Sequence, residues 1–351
     1  MVHMQRGSEM QNRDVSALVE SSRLRVTDEC ERPPEIITIG DSVIGTLGNF
    51  SGCTGKAKSK KTFNVCAIVA AAMVNGEVLR YRVNLPEDKR KVIYIDTEQS
   101  PFHCIKVMQR IISLAGLPSG THPENLDFLA LRKYAPMDRI DIIERVIYET
   151  EGLGLVIIDG IRDLALDINS PTEATNLITK LMQWTDEKQI HIHTVLHQNK
   201  GDEHSRGHIG TELNNKAETI LQVVKDSTDS DISVVSSVHI RAMEFEKFAF
   251  QINGLGLPEL VENYELTASS VRGFKYNELT EQQHRTALQA TFNSREEYGY
   301  NDLIEALREG YGSIGYSYGR NKMTELKTFL VNKRMIVKSG KCYRYNPEFH
   351  Y

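Results

Sequence analysis

The chain has 351 residues, 40% of them apolar and 25% charged, with a net charge of −5. These are the averages of a folded globular protein of about two domains, so wholesale disorder and collagen-like or low-complexity sequence are excluded. The longest apolar run, around residues 65–74, is about half of a bilayer span, the five cysteines show no CxxC spacing, and no basic segment leads into an apolar stretch at the N-terminus. A membrane span, a disulfide framework and a secretory signal are therefore not expected, and reduced thiols in the cytoplasm are.

The charge is unevenly spread. Residues 285–351 hold 11 Lys and Arg against 7 Asp and Glu, a local +4 in an acidic chain. That asymmetry permits a nucleic-acid surface on the tail.

In chain order, residues 1–34 are polar, lack sustained periodicity and end in Arg32-Pro33-Pro34, the pattern of a flexible arm. Strands are predicted at 36–39 and 49–53. The second feeds a Gly/Lys/Ser loop and then a helix over 61–73. A strand over 91–95 ends in Asp96-Thr97-Glu98. The helix after it, 102–115, stops at Gly116 and Pro118. A strand over 126–131 and a helix over 139–149 precede the uninterrupted apolar strand 154–158, which reads as a buried parallel strand and ends in Asp159-Gly160. A helix over 172–188 leads to a strand over 191–196. Strands alternating with helices of this length predict an α/β fold with a mostly parallel sheet.

From Ile220 the rhythm changes to strands at 220–225, 232–240 and 248–252 with little helix between them, as expected of antiparallel strands at a sheet edge. A polar linker is expected over 261–284. Beyond it, helices at 300–309 and 320–332 and a hairpin over 335–345 form a winged-helix pattern over 285–351. The α/β core would thus run over 35–260.

Four segments carry chemistry. The loop Gly55-Lys56-Ala57-Lys58-Ser59-Lys60-Lys61-Thr62 sits between a strand and a helix and meets every position of G-x-x-x-x-G-K-[ST] except the second glycine, where Lys60 stands. In such a loop backbone N–H groups cradle phosphates, Lys61 reaches the β- and γ-phosphates, and the Thr62 hydroxyl ligates Mg²⁺. The alternative is a solvated basic loop, but four lysines in six residues at a helix N-terminus oppose the helix dipole unless an anion binds. The second and third segments are Asp96-Thr97-Glu98 and Asp159, each directly after a strand, where carboxylates point into the crevice of an α/β sheet. Asp159 fits the Mg²⁺-holding acid of a Walker B strand, and Glu98 could orient and deprotonate water; both could instead cap the helices that follow.

The fourth segment is Leu196-His197-Gln198-Asn199-Lys200. Here His197 or Gln198 could contact a γ-phosphate, and Lys200 and Arg206 could touch a nucleic-acid backbone. His191, His193, His197, His204 and His208 invite a metal reading, but no HExxH or Cys/His pairing supports zinc. Arg241, late in a predicted strand, either pairs with a carboxylate or acts in trans on a neighbouring subunit as an arginine finger.

In this order, these residues resemble the RecA-like ATPases, and within them the RepA/DnaB-like branch of hexameric helicases. Gly55–Phe63, Ile158–Leu164, His197–Lys200 and Arg206–Thr211 look like the RepA-like ATPases of bacterial mobilizable transposons, some labelled excision or replication proteins. The resemblance covers roughly residues 35–255. It implies ATP with Mg²⁺ as ligand, Lys61 and Thr62 as P-loop contacts, Glu98 as catalytic carboxylate, Asp159 as the Walker B acid, His197 or Gln198 as γ-phosphate sensor and Arg241 as the trans finger. It also implies a homo-oligomer, a hexamer among the options, with single-stranded DNA at the core. Two departures stand out: Lys60 replaces glycine, and His239 occupies the position where hexameric helicases carry the lysine of Lys-x-Arg.

In the tail the predicted recognition helix carries Arg320, Lys322 and Lys327, and the wing carries Lys338 and Lys341; these are the candidate contacts to duplex DNA. Eight of the 14 tyrosines fall after Glu297, where they can stack on bases or fill a small core. A protein-docking module of the same shape is the alternative. The whole reads as a Mg-ATP-dependent, DNA-associated ATPase, either a helicase-like motor or an accessory replication or excision protein. The alternative is a DNA-binding regulator that uses ATP as a conformational switch.

Overall fold

The computed structural model describes residues 15–198, 207–226, 229–261, 264, 276, 279–316 and 320–351, the side chains of 320–322 excepted. The chain divides into two compact units, Met1–Glu262 and Asn263–Tyr351. No helix among the described residues is long and apolar enough to cross a membrane.

The first unit is built on a nine-stranded sheet. Its strands are β3 (Phe50–Gly55), β6 (Lys91–Asp96), β7 (Leu126–Ala130), β8 (Leu153–Asp159), β9 (His191–His197), β10 (Thr219–Lys225), β11 (Ile232–Ile240), β12 (Phe248–Ile252) and β13 (Pro258–Leu260), in the order β13-β12-β11-β10-β3-β9-β8-β6-β7. From β10 through β7 every pairing is parallel, while β10 to β13 pair antiparallel. The α/β core with a mostly parallel sheet is therefore as expected, as is the antiparallel edge. Strand β1 (Glu35–Ile39) differs: it pairs with β2 (Ser42–Thr46) and β5 (Tyr81–Val83) in a separate four-stranded sheet that also holds β4 (Glu77–Val78).

Alternation along the strands explains the two cores. Val92, Tyr94, Leu155 and Ile157 face one side, packing with α2 (Lys61–Val74) and α3 (Pro101–Leu114). Ile93, Ile95, Val156 and Ile158 face the other, packing with α4 (Pro136–Glu149), α5 (Pro171–Lys188) and α6 (Gly207–Lys216). A parallel strand covered on both faces reads as a near-continuous apolar run, as β8 does up to Ile158. Proline opens α3, α4 and α5, where its missing N–H has no helical partner to lose. Helix α1 (Val15–Ser21) stands in the stretch expected as an arm, and all its residues are exposed.

The second unit is a separate fold. It holds α7 (Glu281–Thr291), β14 (Glu297–Gly299), α8 (Tyr300–Gly312), α9 (Arg320–Asn332), β15 (Ile336–Ser339) and β16 (Cys342–Tyr345), with the strands ordered β14-β16-β15. Leu303, Leu307, Leu326 and Leu330 fill its core. Helix α7 starts inside the stretch expected as a linker; a capping box between Thr280 and Gln283 satisfies its first amides. Most of that linker lies outside the described residues.

His191 and His193 lie in the sheet's interior. Ser51 Oγ on β3 lies 2.7 Å from His191 Nε2 and 2.8 Å from His193 Nδ1, while His191 Nδ1 meets the Thr46 carbonyl at 2.8 Å. Among the described residues no group of three metal-ligating side chains occurs. Burial pushes the two imidazoles down, to about 4 for His191 and about 3 for His193. An unfolded histidine titrates near 6.5, so as pH falls below that value the unfolded chain binds protons that the folded chain resists, and stability drops until the folded values are reached. Burial raises Asp159 to about 6, which acts in the opposite sense, so a variant isolates the histidines. Urea midpoints from about pH 7 to about pH 5 should fall less steeply in His193→Asn than in the wild type; equal slopes would contradict this account.

Candidate functional site

The carboxyl edge of the parallel sheet gathers the chemistry. In register, Gly55 on β3 lies beside His197 on β9, and Asp96 on β6 beside Asp159 on β8. The strand ends therefore deliver the P-loop, Glu98, Asp159 and His197 to one crevice. It is a cleft of about 410 Å³ whose lining includes Lys58, Ser59, Lys60, Lys61, Thr62, Glu98, Asp159 and His197.

The loop is built to receive an anion. Helix α2 begins at Lys61 with no side-chain cap and no acidic residue in its first turn, which leaves the N-terminal amides and the positive end of the helix dipole for a ligand. Ser59 Oγ is buried without a hydrogen-bond partner among the described residues, which leaves it free to donate to a ligand in the loop. At Gly55 a Cβ would come within 2.3 Å of the Val223 carbonyl and 2.7 Å of Ser59 Oγ, so the turn requires glycine. Lys60 keeps the left-handed conformation that the missing glycine would adopt, with φ 69°, and Lys58 does the same at φ 65°. The Lys60 amine donates to the Asp231 carbonyl in the β10–β11 turn.

Lys61 is buried, 5% exposed. Its Nζ donates to the Gly55 carbonyl at 2.9 Å and the Lys56 carbonyl at 3.0 Å, and lies 3.0 Å from His197 Nδ1. Burial lowers its affinity for a proton, opposed by nearby Cys53, Asp159 and Glu98. Thr62 Oγ1 donates to Asp159 Oδ2 at 3.0 Å, and the Tyr94 hydroxyl donates to the same oxygen at 2.8 Å. Burial, then the Asp96 charge, pushes the Asp159 carboxyl up to about 6. A threonine hydroxyl and a carboxylate in contact beside a phosphate loop fit a Mg²⁺ ion coordinated directly or through water.

Glu98 and Asp96 part company. Asp96 Oδ1 accepts the amides of Glu98 and Gln99 at 3.0 and 2.7 Å, so it shapes the turn that leads into α3. Glu98 instead projects into the cleft, its Oε1 3.3 Å from His197 Nε2. That contact is the main cause of its lowered carboxyl value. Thr97 fastens the neighbouring turn: its hydroxyl donates toward the Asp159 and Gly160 carbonyls and Asp163 Oδ2 at 3.0–3.1 Å. Gly160, at φ 106°, leaves room for it, since a Cβ there would lie 2.1 Å from Thr97 Oγ1.

His197 enters the cleft, whereas Gln198 is buried and its amide holds the Gly55 carbonyl at 3.0 Å. Arg241 is not in the crevice: Ile240 pairs with Thr219 at the start of β10, and the Arg241 guanidinium donates to the Lys216 carbonyl at 3.3 Å. That is the amino edge of the parallel strands. Lys200 and Arg206 lie outside the described residues, as do the side chains of Arg320 and Lys322 on α9. In the second unit, Lys327 sits over the rings of Tyr300 and Tyr343, Lys338 reaches Tyr343 at 6.0 Å, and Lys338 and Lys341 are exposed.

The structure adds site residues that the motifs did not name. Tyr94 is two positions before Asp96, a spacing that puts both on one strand face. His103, Lys106 and Arg110 of α3, at the i, i+3, i+7 spacing of one helix face, also line the cleft, with Arg110 stacked 3.7 Å over the Phe63 ring.

A family model described as an AAA domain matches residues 4–203. The chain belongs to this AAA domain family. The matched stretch takes in the P-loop, Glu98, Asp159 and His197, in agreement with the P-loop ATPase reading of those motifs, and it stops before Arg241 and the second unit. No curated protein matches the chain. Among solved structures, the RadB recombinase is similar over 62% of this chain and 92% of its own, at 16% identity and a TM-score of 0.44.

The left-handed lysine gives a direct check on the loop. A non-glycine residue in that region costs about 1–2 kcal/mol, partly offset by the chain entropy that glycine loses on folding. Lys60→Gly should leave the unfolding free energy unchanged or raise it by up to about 1 kcal/mol, whereas Lys60→Ala keeps the strain. A glycine variant less stable than the alanine variant would contradict the assigned conformation.

Proposed function

We propose that the protein is a Mg-ATP-dependent ATPase of the RecA-like kind that works on DNA. The observation that carries this reading is the convergence of Lys61, Thr62, Asp159 and Glu98 on an uncapped helix N-terminus within one cleft. The triphosphate would lie across the N–H groups of the loop with Lys61 beside its β- and γ-phosphates. Thr62 and Asp159 would hold Mg²⁺, which supplies neutralising charge between the phosphates. Glu98, a lowered carboxyl and so ionised at neutral pH, is the group that can orient a water and accept its proton. Those parts together perform phosphoryl transfer to water by positioning and charge.

The second unit is proposed to be a winged helix that binds duplex DNA. Its helix order, its three-stranded sheet and the exposed Lys338 and Lys341 on the hairpin support this. The finer reading, a motor or accessory protein in replication or excision of a mobile element that acts as a homo-oligomer on single-stranded DNA, rests on the motif resemblance. Its alternative is a DNA-binding regulator switched by ATP. The position of Arg241 favours neither within one chain, since a trans finger serves a neighbour's site.

Steady-state hydrolysis separates the readings. Turnover stimulated by single-stranded DNA should fall by about 10²-fold or more in Glu98→Gln with nucleotide binding kept. Turnover that survives this substitution would remove Glu98 from the chemistry, and wild-type binding without turnover would favour the switch.

A further inference from the structure

The P-loop lysine and the acidic residue of the cleft are joined through one imidazole. An ammonium has three protons to donate, and the Gly55 carbonyl, the Lys56 carbonyl and His197 Nδ1 take all three. Because lysine only donates, Nδ1 must be the acceptor nitrogen of the ring. A neutral imidazole then carries its proton on Nε2, which faces Glu98 Oε1 at 3.3 Å. The tautomer follows from the donor character of Lys61 and not from an observed hydrogen.

The three acceptors differ in freedom. The two carbonyls belong to the backbone of the loop, and Gly55 O is also held by the Gln198 amide. His197 is a side chain at the last position of β9, about one-third exposed. It is the member of the set that can turn away. Lys61 cannot give one proton both to His197 Nδ1 and to a phosphate oxygen. A phosphate that wins this proton leaves the Nδ1 lone pair facing its own negative oxygen, and the ring must move.

We propose that His197 is a positioning residue that couples Glu98 to phosphate binding: when a phosphate oxygen replaces Nδ1 as acceptor of the Lys61 hydrogen bond, the displaced imidazole gives up or re-aims its hydrogen bond to Glu98. The glutamate is thereby held while His197 serves Lys61, and set for water when the phosphate does. This deepens the ATPase reading and rests on it. No bond is made or broken except hydrogen bonds, and no further group is required.

The test is ¹⁵N-histidine NMR of the full chain with Mg²⁺ and a non-hydrolysable ATP analogue, joined to kinetics of His197→Gln. Without nucleotide, His197 should show the Nε2–H tautomer, and saturation with the analogue should shift its ring nitrogens. Glutamine can keep an N–H toward Glu98 and has no acceptor at the Nδ1 position, its carbonyl oxygen lying further along the side chain. The variant should therefore bind the analogue more tightly while its turnover falls by about tenfold. A merely structural histidine would weaken both or neither. An Nδ1–H tautomer, or ring resonances unmoved at saturation, would overturn the coupling and leave the ATPase reading standing. Failure of the wild type to bind the analogue would overturn both.

Discussion

A buried ammonium needs oxygen or nitrogen acceptors on every proton, and this need organises the crevice around Lys61. Desolvating a charge without such partners costs several kcal/mol. Here the loop carbonyls of Gly55 and Lys56 and the imidazole of His197 meet it, while Asp159 and Glu98 supply the opposing charge. The sheet order makes this possible. Because β9 lies between β3 and β8, the residue that ends β9 falls between the P-loop and Asp159, and reaches Glu98 in the turn after β6.

The same edge contains a tension among carboxylates. Asp96 and Asp159 are side by side in register, and burial raises both. Asp96 accepts the backbone amides of Glu98 and Gln99 on Oδ1 and the Gln99 side-chain amide on Oδ2, which leaves Asp159 to Thr62 and Tyr94. One acid thus builds the turn that aims Glu98, and the other stays with the hydroxyl beside which a cation would sit. The positive helix end and the surplus lysines offset these acids, and the Ser59 hydroxyl, buried without a hydrogen-bond partner among the described residues, faces the same cleft.

Much of this was legible in the sequence, because the relevant signals are local. The uninterrupted apolar run before Asp159, the strand before Asp96 and the spacing from Gly55 to Thr62 each encode a strand end and a loop. What escaped was either short or distant. Strands β2, β4 and β5 have two to five residues and form a separate sheet with β1, which reads as a strand without revealing its partner. Helix α6 hides in a polar, glycine-containing stretch, and α7 opens in composition suited to a linker. The roles of His191 and His193 depend on Ser51, some 140 residues away, and the link from Lys61 through His197 to Glu98 depends on strand order, which no motif spacing encodes.

The central claim is that the cleft at the end of β3 binds a nucleoside triphosphate through Lys61. Isothermal titration of the full chain with a non-hydrolysable ATP analogue, with and without Mg²⁺, tests it most directly. The account predicts one site per chain, tightened by Mg²⁺ and lost in Lys61→Ala, with Asp159→Asn losing mainly the Mg²⁺ dependence. Binding unchanged in Lys61→Ala, or no binding by the wild type, would contradict it.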